Sequence, residues 1–156
     1  MKKLENKIVC ITGADGGIGK EIAIKFAGEG ATLILCSLAE TADYFEYLAA
    51  LKSEYNTDVY PFFFDFSNEE AIKAGITEIK KLKPKINVLI NNAGMPHLAI
   101  LPFTRMSDVK KVFQVNYFAQ LQITQALLGC MVKDGESSIL NAASIAGIDG
   151  DMGNSV

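Results

Sequence analysis

Thr12-Gly13-Ala14-Asp15-Gly16-Gly17-Ile18-Gly19 is the stretch on which the fold turns. Before it stands Lys7-Ile8-Val9-Cys10-Ile11-Thr12, a short β-branched run closed by glycine, which predicts a buried strand. After it, Ile18, Ile22 and Phe26 recur at four-residue spacing and predict a helix with that face buried. Gly28 and Gly30 stop the helix, Gly30 as a left-handed cap. A glycine-rich turn between strand and helix lets the backbone double back and approach a pyrophosphate closely. The helix then offers its free N–H groups and positive dipole end to the phosphates. The spacing is not that of a triphosphatase phosphate loop. Five positions before Gly19 stands Ala14, and Lys20 is followed by Glu21 rather than Ser or Thr. Taken alone, the stretch is also compatible with a plain glycine-rich turn.

Outward from this turn, apolar runs alternate with amphipathic stretches. Strands are predicted at residues 31–36, 58–64, 86–90 and 137–141, and helices at 41–55, after Ser67, and over 107–132. Ser67 with Glu70 three residues on reads as a capping box for the third helix, which Lys83-Pro84 ends. Strands separated by helices imply right-handed crossovers and a parallel sheet. The predicted fold is therefore α/β: a Rossmann-type, doubly wound parallel sheet in three α/β/α layers. Its ligand is expected beyond the C-terminal strand ends, where strand order reverses. The 156 residues carry no linker or repeat and read as a single domain, 1–156, able to bury roughly 68–70% of its unfolded surface.

Charge and composition exclude several classes. With 15 basic and 18 acidic residues spread along the chain, nothing favours nucleic acid or an anionic membrane as partner. No apolar run approaches the length of a bilayer span, and the run from Ile8 to Ile11 is too short for a signal-peptide core. Cys10, Cys36 and Cys130 are odd in number, widely spaced and set in apolar stretches, so they read as reduced buried thiols, with no metal site expected. These features place the protein in the cytoplasm. Phe62-Phe63-Phe64-Asp65-Phe66 lacks basic interleaving and reads as strand core, not as a nucleic-acid stacking platform.

Three markers together resemble the classical short-chain dehydrogenase/reductase family. Gly13, Gly17 and Gly19 match that family's Thr-Gly-x-x-x-Gly-x-Gly turn; Asn91-Asn92-Ala93-Gly94 matches its Asn-Asn-Ala-Gly turn; and Asp65 matches an aspartate closing the third strand. The resemblance covers essentially the whole chain. It implies an NAD(P)-dependent oxidoreductase that moves a hydride between a nicotinamide cofactor and a small carbonyl or alcohol substrate. It implies cofactor contacts from Thr12, Gly13, Asp15, Gly16, Gly17, Ile18, Gly19, Ser37, Asp65, Phe66, Asn92, Ala93 and Gly94, with Asp65 bonding the adenine. Catalytic roles fall on Ser144, the serine that polarises the substrate carbonyl, and on Asn116, which holds a proton-relay water through a local helix distortion. In isolation Ser144 would read as a strand-end cap and Asn116 as a polar residue in mid-helix.

The resemblance also implies a Tyr-x-x-x-Lys pair about thirteen residues after Ser144, whereas the chain ends at Val156. None of Tyr44, Tyr47, Tyr55, Tyr60 and Tyr117 has a lysine four residues on. Loss of general acid–base help typically costs ~10²–10⁴ in rate, so the chain by itself is expected to be nearly inactive. The family's sheet continues past the fifth strand, so the fold is expected to be truncated there. Apolar residues surround most of the helix over 107–132, which implies burial on several sides; the resemblance implies that this side also builds a homo-oligomer. For the cofactor, Ser37 stands where NAD-preferring relatives place an acid, so a 2′-phosphate meets no carboxylate from that position and NADP is favoured over NAD. No arginine stands at Gly16 or Leu38 to strengthen that preference. His97, in the loop after Gly94, is expected to have no catalytic duty. Two other classes remain open: a non-catalytic dinucleotide-binding or sensor protein, and a scaffold or oligomerisation subunit.

Overall fold

Five parallel strands, in the order β3-β2-β1-β4-β5, form the sheet of the computed structural model, which describes residues 2–133 and 137–149. The strands are β1 (Ile8–Thr12), β2 (Thr32–Ser37), β3 (Val59–Phe63), β4 (Ile86–Asn91) and β5 (Ser138–Asn141). Helices α1 (Gly17–Gly28), α2 (Ala42–Tyr55), α3 (Glu69–Lys81), α4 (Met106–Phe113) and α5 (Ala119–Leu127) connect them. The chain winds outward from β1 to β3, returns through α3, and lays β4 on the other side of β1. Strand order therefore reverses between β1 and β4, and a crevice opens there at the C-terminal ends.

Side chains alternate along each strand and divide the core in two. Val9, Ile11, Leu33 and Leu35 pack with Ala23, Ala27, Tyr44, Leu48 and Leu51 of α1 and α2. Cys10, Ile34, Cys36 and Leu89 pack on the opposite face with Ile72, Ile76 and Ile79 of α3 and Ile123 and Leu127 of α5. This is the expected three-layer α/β/α arrangement. Cys10 and Cys36 are buried free thiols, while Cys130 is half-buried.

Helix α1 differs from its sequence reading. Its buried positions are Gly19, Ala23 and Ala27, while Ile18 is 72% exposed and Ile22 and Phe26 are only partly covered. The cause is the tightness of the turn before it. A Cβ at Gly19 would lie well inside contact with the Gly13 carbonyl oxygen, so α1 lies against the sheet on its smallest side chains. The cap of α3 also shifts by one residue. Asn68, not Ser67, is the N-cap: its Oδ1 accepts from the N–H groups of Glu70 and Ala71 at 3.0 and 3.1 Å. The Ser67 N–H is held by Asp65 Oδ1 at 2.7 Å in an Asx turn, which places Ser67 one residue too early to cap.

The long helix expected over 107–132 is interrupted. Between α4 and α5 lies one wide π turn, Gln114–Phe118, and a 3₁₀ turn, Leu128–Cys130, ends the element. Val115, Ala119, Ile123 and Leu127 join the core on the α3 face of the sheet, and Val112 is buried as well. Phe113, Tyr117, Phe118, Leu121 and Leu128 are exposed, as are all four residues of the edge strand β5. Among the described residues, no helix is long and apolar enough to cross a membrane.

Candidate functional site

At the switch point the ends of β1 and β4 are fastened together. Thr12 is fully buried, and its Oγ1 accepts from the N–H groups of Asn92 and Ala93, both at 3.0 Å. In return, Asn92 Nδ2 donates to the carbonyl oxygens of Thr12 and Gly13, each at 3.2 Å. The two turns touch: a Cβ at Gly13, where φ is +66°, would stand 2.8 Å from Ala93 Cα. Only glycine tolerates both that conformation and that approach. Gly13, Gly19, Asn92, Ala93 and Thr12 thus build the floor of the crevice.

Gly16 and Gly17 form its mouth. Gly16 is the N-cap of α1 and provides no side-chain cap, the first turn carries no acid, and a Cβ at Gly17 would meet nothing within 4 Å. A helix of this length leaves its first N–H groups without intrahelical partners and carries partial positive charge at that end. Gly17 and the exposed Ile18 therefore border a space suited to a phosphate group.

Towards β2, the Ala14 N–H donates to the Cys36 carbonyl at 3.1 Å, and Asp15 reaches the strand end, where its Oδ2 accepts from the Leu38 N–H at 3.4 Å. Ser37 is fully buried, and its hydroxyl donates to the Tyr44 hydroxyl oxygen at 2.8 Å. Its side chain is therefore turned into the core instead of lying open at the strand end. Burial pushes the Tyr44 hydroxyl up from 10.0 to about 12; the bond from Ser37 opposes this and the Asp15 charge adds to it. Lys20 Nζ sits over the rings of Tyr47 and Tyr44, at 5.3 and 5.8 Å from their centroids. Sequence reading missed Tyr44 and Lys20. Tyr44, Leu48 and Leu51 follow the helical period, which marks the inward face of α2. Asp65 is exposed just after β3, and Phe66 is buried against Phe64, with ring centroids 5.0 Å apart.

The other half of the site lies past β4 and β5. Asn91 pairs with Asn141 across the strands, and its Nδ2 donates to Asn141 Oδ1 at 2.8 Å and to Thr124 Oγ1 at 2.9 Å. The Ala142 N–H donates to the Asn91 carbonyl at 2.8 Å, extending the β4–β5 ladder. Gln120 Nε2 donates to the Ala93 carbonyl at 2.9 Å, tying α5 to the same turn. Asn141, Thr124 and Gln120 are supports that no short motif announces.

Asn116 lies inside the π turn, with Oδ1 accepting from the Met95 N–H at 2.8 Å and Nδ2 donating to the Met95 carbonyl at 3.0 Å. A Cβ on Gly94 would stand 3.5 Å from Asn116 Oδ1, so the π turn and the Asn91–Gly94 turn are neighbours. Ser144 is exposed, three residues past Asn141 as Gly94 is three past Asn91, and its Oγ accepts from the Ala146 N–H at 3.2 Å. His97 is half-buried in the loop after Gly94. Among the described residues, no group of three His, Cys, Asp or Glu side chains could hold a metal ion.

A family model described as short chain dehydrogenase matches residues 7–156. The 3-oxoacyl-[acyl-carrier-protein] reductase FabG of Thermotoga maritima is 33% identical over 154 residues, which are 97% of this chain and 61% of that protein. Among solved structures, NAD+-bound xylitol dehydrogenase superposes with a TM-score of 0.86 at 26% identity, covering 98% of this chain and 58% of that one. The L-sorbose reductase of Gluconobacter frateurii, solved with NADPH and L-sorbose, shares the fold with a TM-score of 0.77 at 23% identity, covering 83% and 49%. The chain spans about half to three-fifths of the length of the curated relatives it matches.

Proposed function

This chain belongs to the short chain dehydrogenase family, and from that premise we propose that it forms the nicotinamide-dinucleotide half of an oxidoreductase acting on small alcohols or carbonyls. One observation carries the reading: the crevice between β1 and β4 is floored by mutually bonded turns and opens at the uncapped first turn of α1. In a doubly wound sheet that is where a pyrophosphate is held. Thr12, Gly13, Asn92 and Ala93 fix the two turns; Asp15, Gly16, Gly17, Ile18 and Gly19 border the phosphates and ribose. Ser37, Asp65 and Phe66 flank the adenosine end, with Asp65 accepting from the adenine and Phe66 backing it from the core. Gly94 borders the nicotinamide end. Sequence position alone points to NADP, because Ser37 is uncharged. The carboxylate that the fold delivers from Asp15 to the same strand end weighs toward NAD.

A bound nicotinamide supplies or accepts the hydride. In this reading Ser144 polarises the substrate carbonyl, and one contact supports it: its Oγ accepts from the Ala146 N–H, which leaves the hydroxyl hydrogen for a carbonyl oxygen. Asn116 holds the loop after Gly94 through both backbone groups of Met95, and the π turn withdraws carbonyls there from the regular helical ladder. A displaced carbonyl of that kind can hold a relay water. None of the five tyrosines carries a lysine four residues on, so residues 1–156 supply binding and polarisation and not the Tyr/Lys proton donor. The exposed face of Phe113, Tyr117, Phe118, Leu121 and Leu128 supports a homo-oligomer.

The test is hydride transfer by the protein expressed from its whole reading frame, followed by nicotinamide absorbance against a panel of small ketones and alcohols. Turnover of at least one class is expected, with Ser144→Ala slowing it about 10²–10³-fold. Cofactor binding with no turnover on any class would favour a dinucleotide-binding or sensor protein instead.

A further inference from the structure

The end of β2 is where an adenosine ribose distinguishes the two nicotinamide dinucleotides, because one carries a hydroxyl at its 2′ carbon and the other a phosphate dianion. The strand itself brings no charge there, since Ser37 is buried and its hydroxyl is committed to Tyr44 at 2.8 Å. The first open group past the strand is the Leu38 backbone N–H, and Asp15 Oδ2 already accepts from it at 3.4 Å. Asp15 thus crosses from the glycine turn to the neighbouring strand and sets a half-buried carboxylate over its end. A carboxylate there can accept from vicinal ribose hydroxyls, and it repels a phosphate.

The other charges on the surrounding segments point the same way. Residues 13–21 and 38–44 carry Asp15, Glu21, Glu40 and Asp43, against Lys20 alone. The Lys20 ammonium is held over the Tyr44 and Tyr47 rings, at 5.8 and 5.3 Å from their centroids, instead of extending along the β2–α2 connection. No arginine stands in either segment to clamp a phosphate in two places.

We propose that Asp15 does the work of a strand-terminal acid in this chain, binding the ribose diol and excluding a 2′-phosphate, so that the protein selects NAD over NADP. The proposal rests on the dinucleotide reading of the crevice. A phosphate within a few ångströms of a half-buried carboxylate is disfavoured by about 1–2 kcal/mol, which corresponds to roughly tenfold or more in affinity.

Calorimetric titration of the protein from its whole reading frame with NADH and with NADPH tests it, in the native form and in Asp15→Asn. Asparagine keeps an oxygen acceptor for the Leu38 N–H and for a ribose hydroxyl while removing the charge, so the turn is retained. The native protein should bind NADH at least about tenfold more tightly than NADPH. In Asp15→Asn, NADPH affinity should rise about tenfold while NADH affinity falls severalfold, as charge-assisted bonds to the ribose hydroxyls become neutral ones. A second variant, Ala39→Arg, leaves Asp15 untouched and should raise NADPH affinity by bringing a cation to the same strand end. Equal or tighter native binding of NADPH would overturn the selection while leaving the dinucleotide site intact. An NADH preference unchanged in Asp15→Asn would remove Asp15 from the role, and binding of neither dinucleotide would overturn the site and the selection together.

Discussion

Gly17 and Gly19, two glycines of one turn, do different jobs, and substitution separates them. Gly19 closes the turn against the Gly13 carbonyl, so Gly19→Ala has nowhere to put its methyl without opening the β1–α1 connection. Denaturant unfolding should show a loss of about 1–3 kcal/mol or more. Gly17, by contrast, faces open space. Gly17→Val should therefore unfold within about 1 kcal/mol of the native protein yet lose dinucleotide binding, because its side chain projects at the phosphate mouth. Thr12 makes a third case. Thr12→Val keeps the volume but strands the N–H groups of Asn92 and Ala93, and the same unfolding measurement should show a loss of about 1–3 kcal/mol. The glycines and the two asparagines were legible because each answers a backbone demand that leaves a fixed spacing. The reach of Asp15 was not, since a strand end 23 residues away in sequence becomes its neighbour only when β1 and β2 pair.

At the scale of elements, strand order and helix number follow from the alternation of apolar runs, but helix orientation does not. The Ile18, Ile22 and Phe26 stripe is the more hydrophobic face of α1, and the sheet takes the small face instead because the glycine turn leaves no room for a larger one. Ile18→Ala should accordingly change stability by less than about 0.5 kcal/mol, whereas Ala23→Leu, which overpacks the buried face, should cost about 1–3 kcal/mol. The break at Gln114–Phe118 was legible only through the family resemblance, because nothing in the periodicity of that stretch marks an extra residue in the turn. Helix α2 carries a pH signature. The buried Tyr44 hydroxyl is pushed up to about 12 from 10.0, chiefly by burial. Above pH 10 the unfolded chain releases that proton before the folded one does, so stability should be full below about pH 10 and fall as pH rises toward about 12. Chemical denaturation across that interval should show the decline, and Tyr44→Phe should reduce it.

At the scale of the whole sheet, the described residues leave the β5 flank uncovered. Strand β5 is the edge and is exposed along its length, and Phe113, Tyr117, Phe118, Leu121 and Leu128 stand out from the neighbouring helical segment. Contiguous apolar surface beside an unpaired strand edge favours association. Sedimentation should find a homo-oligomer that Leu121→Lys weakens, and a monomer at every concentration would contradict that. The proposed function depends on the β1–β4 crevice being a nicotinamide-dinucleotide site. The measurement that bears on it most directly is titration of NADH into the native protein and into Gly17→Val, with the circular dichroism of both recorded. Saturable binding of one dinucleotide per chain is expected in the native protein, with loss of that binding in a variant of unchanged secondary structure. Native-like NADH binding by a folded Gly17→Val, or no binding by the native protein, would contradict it.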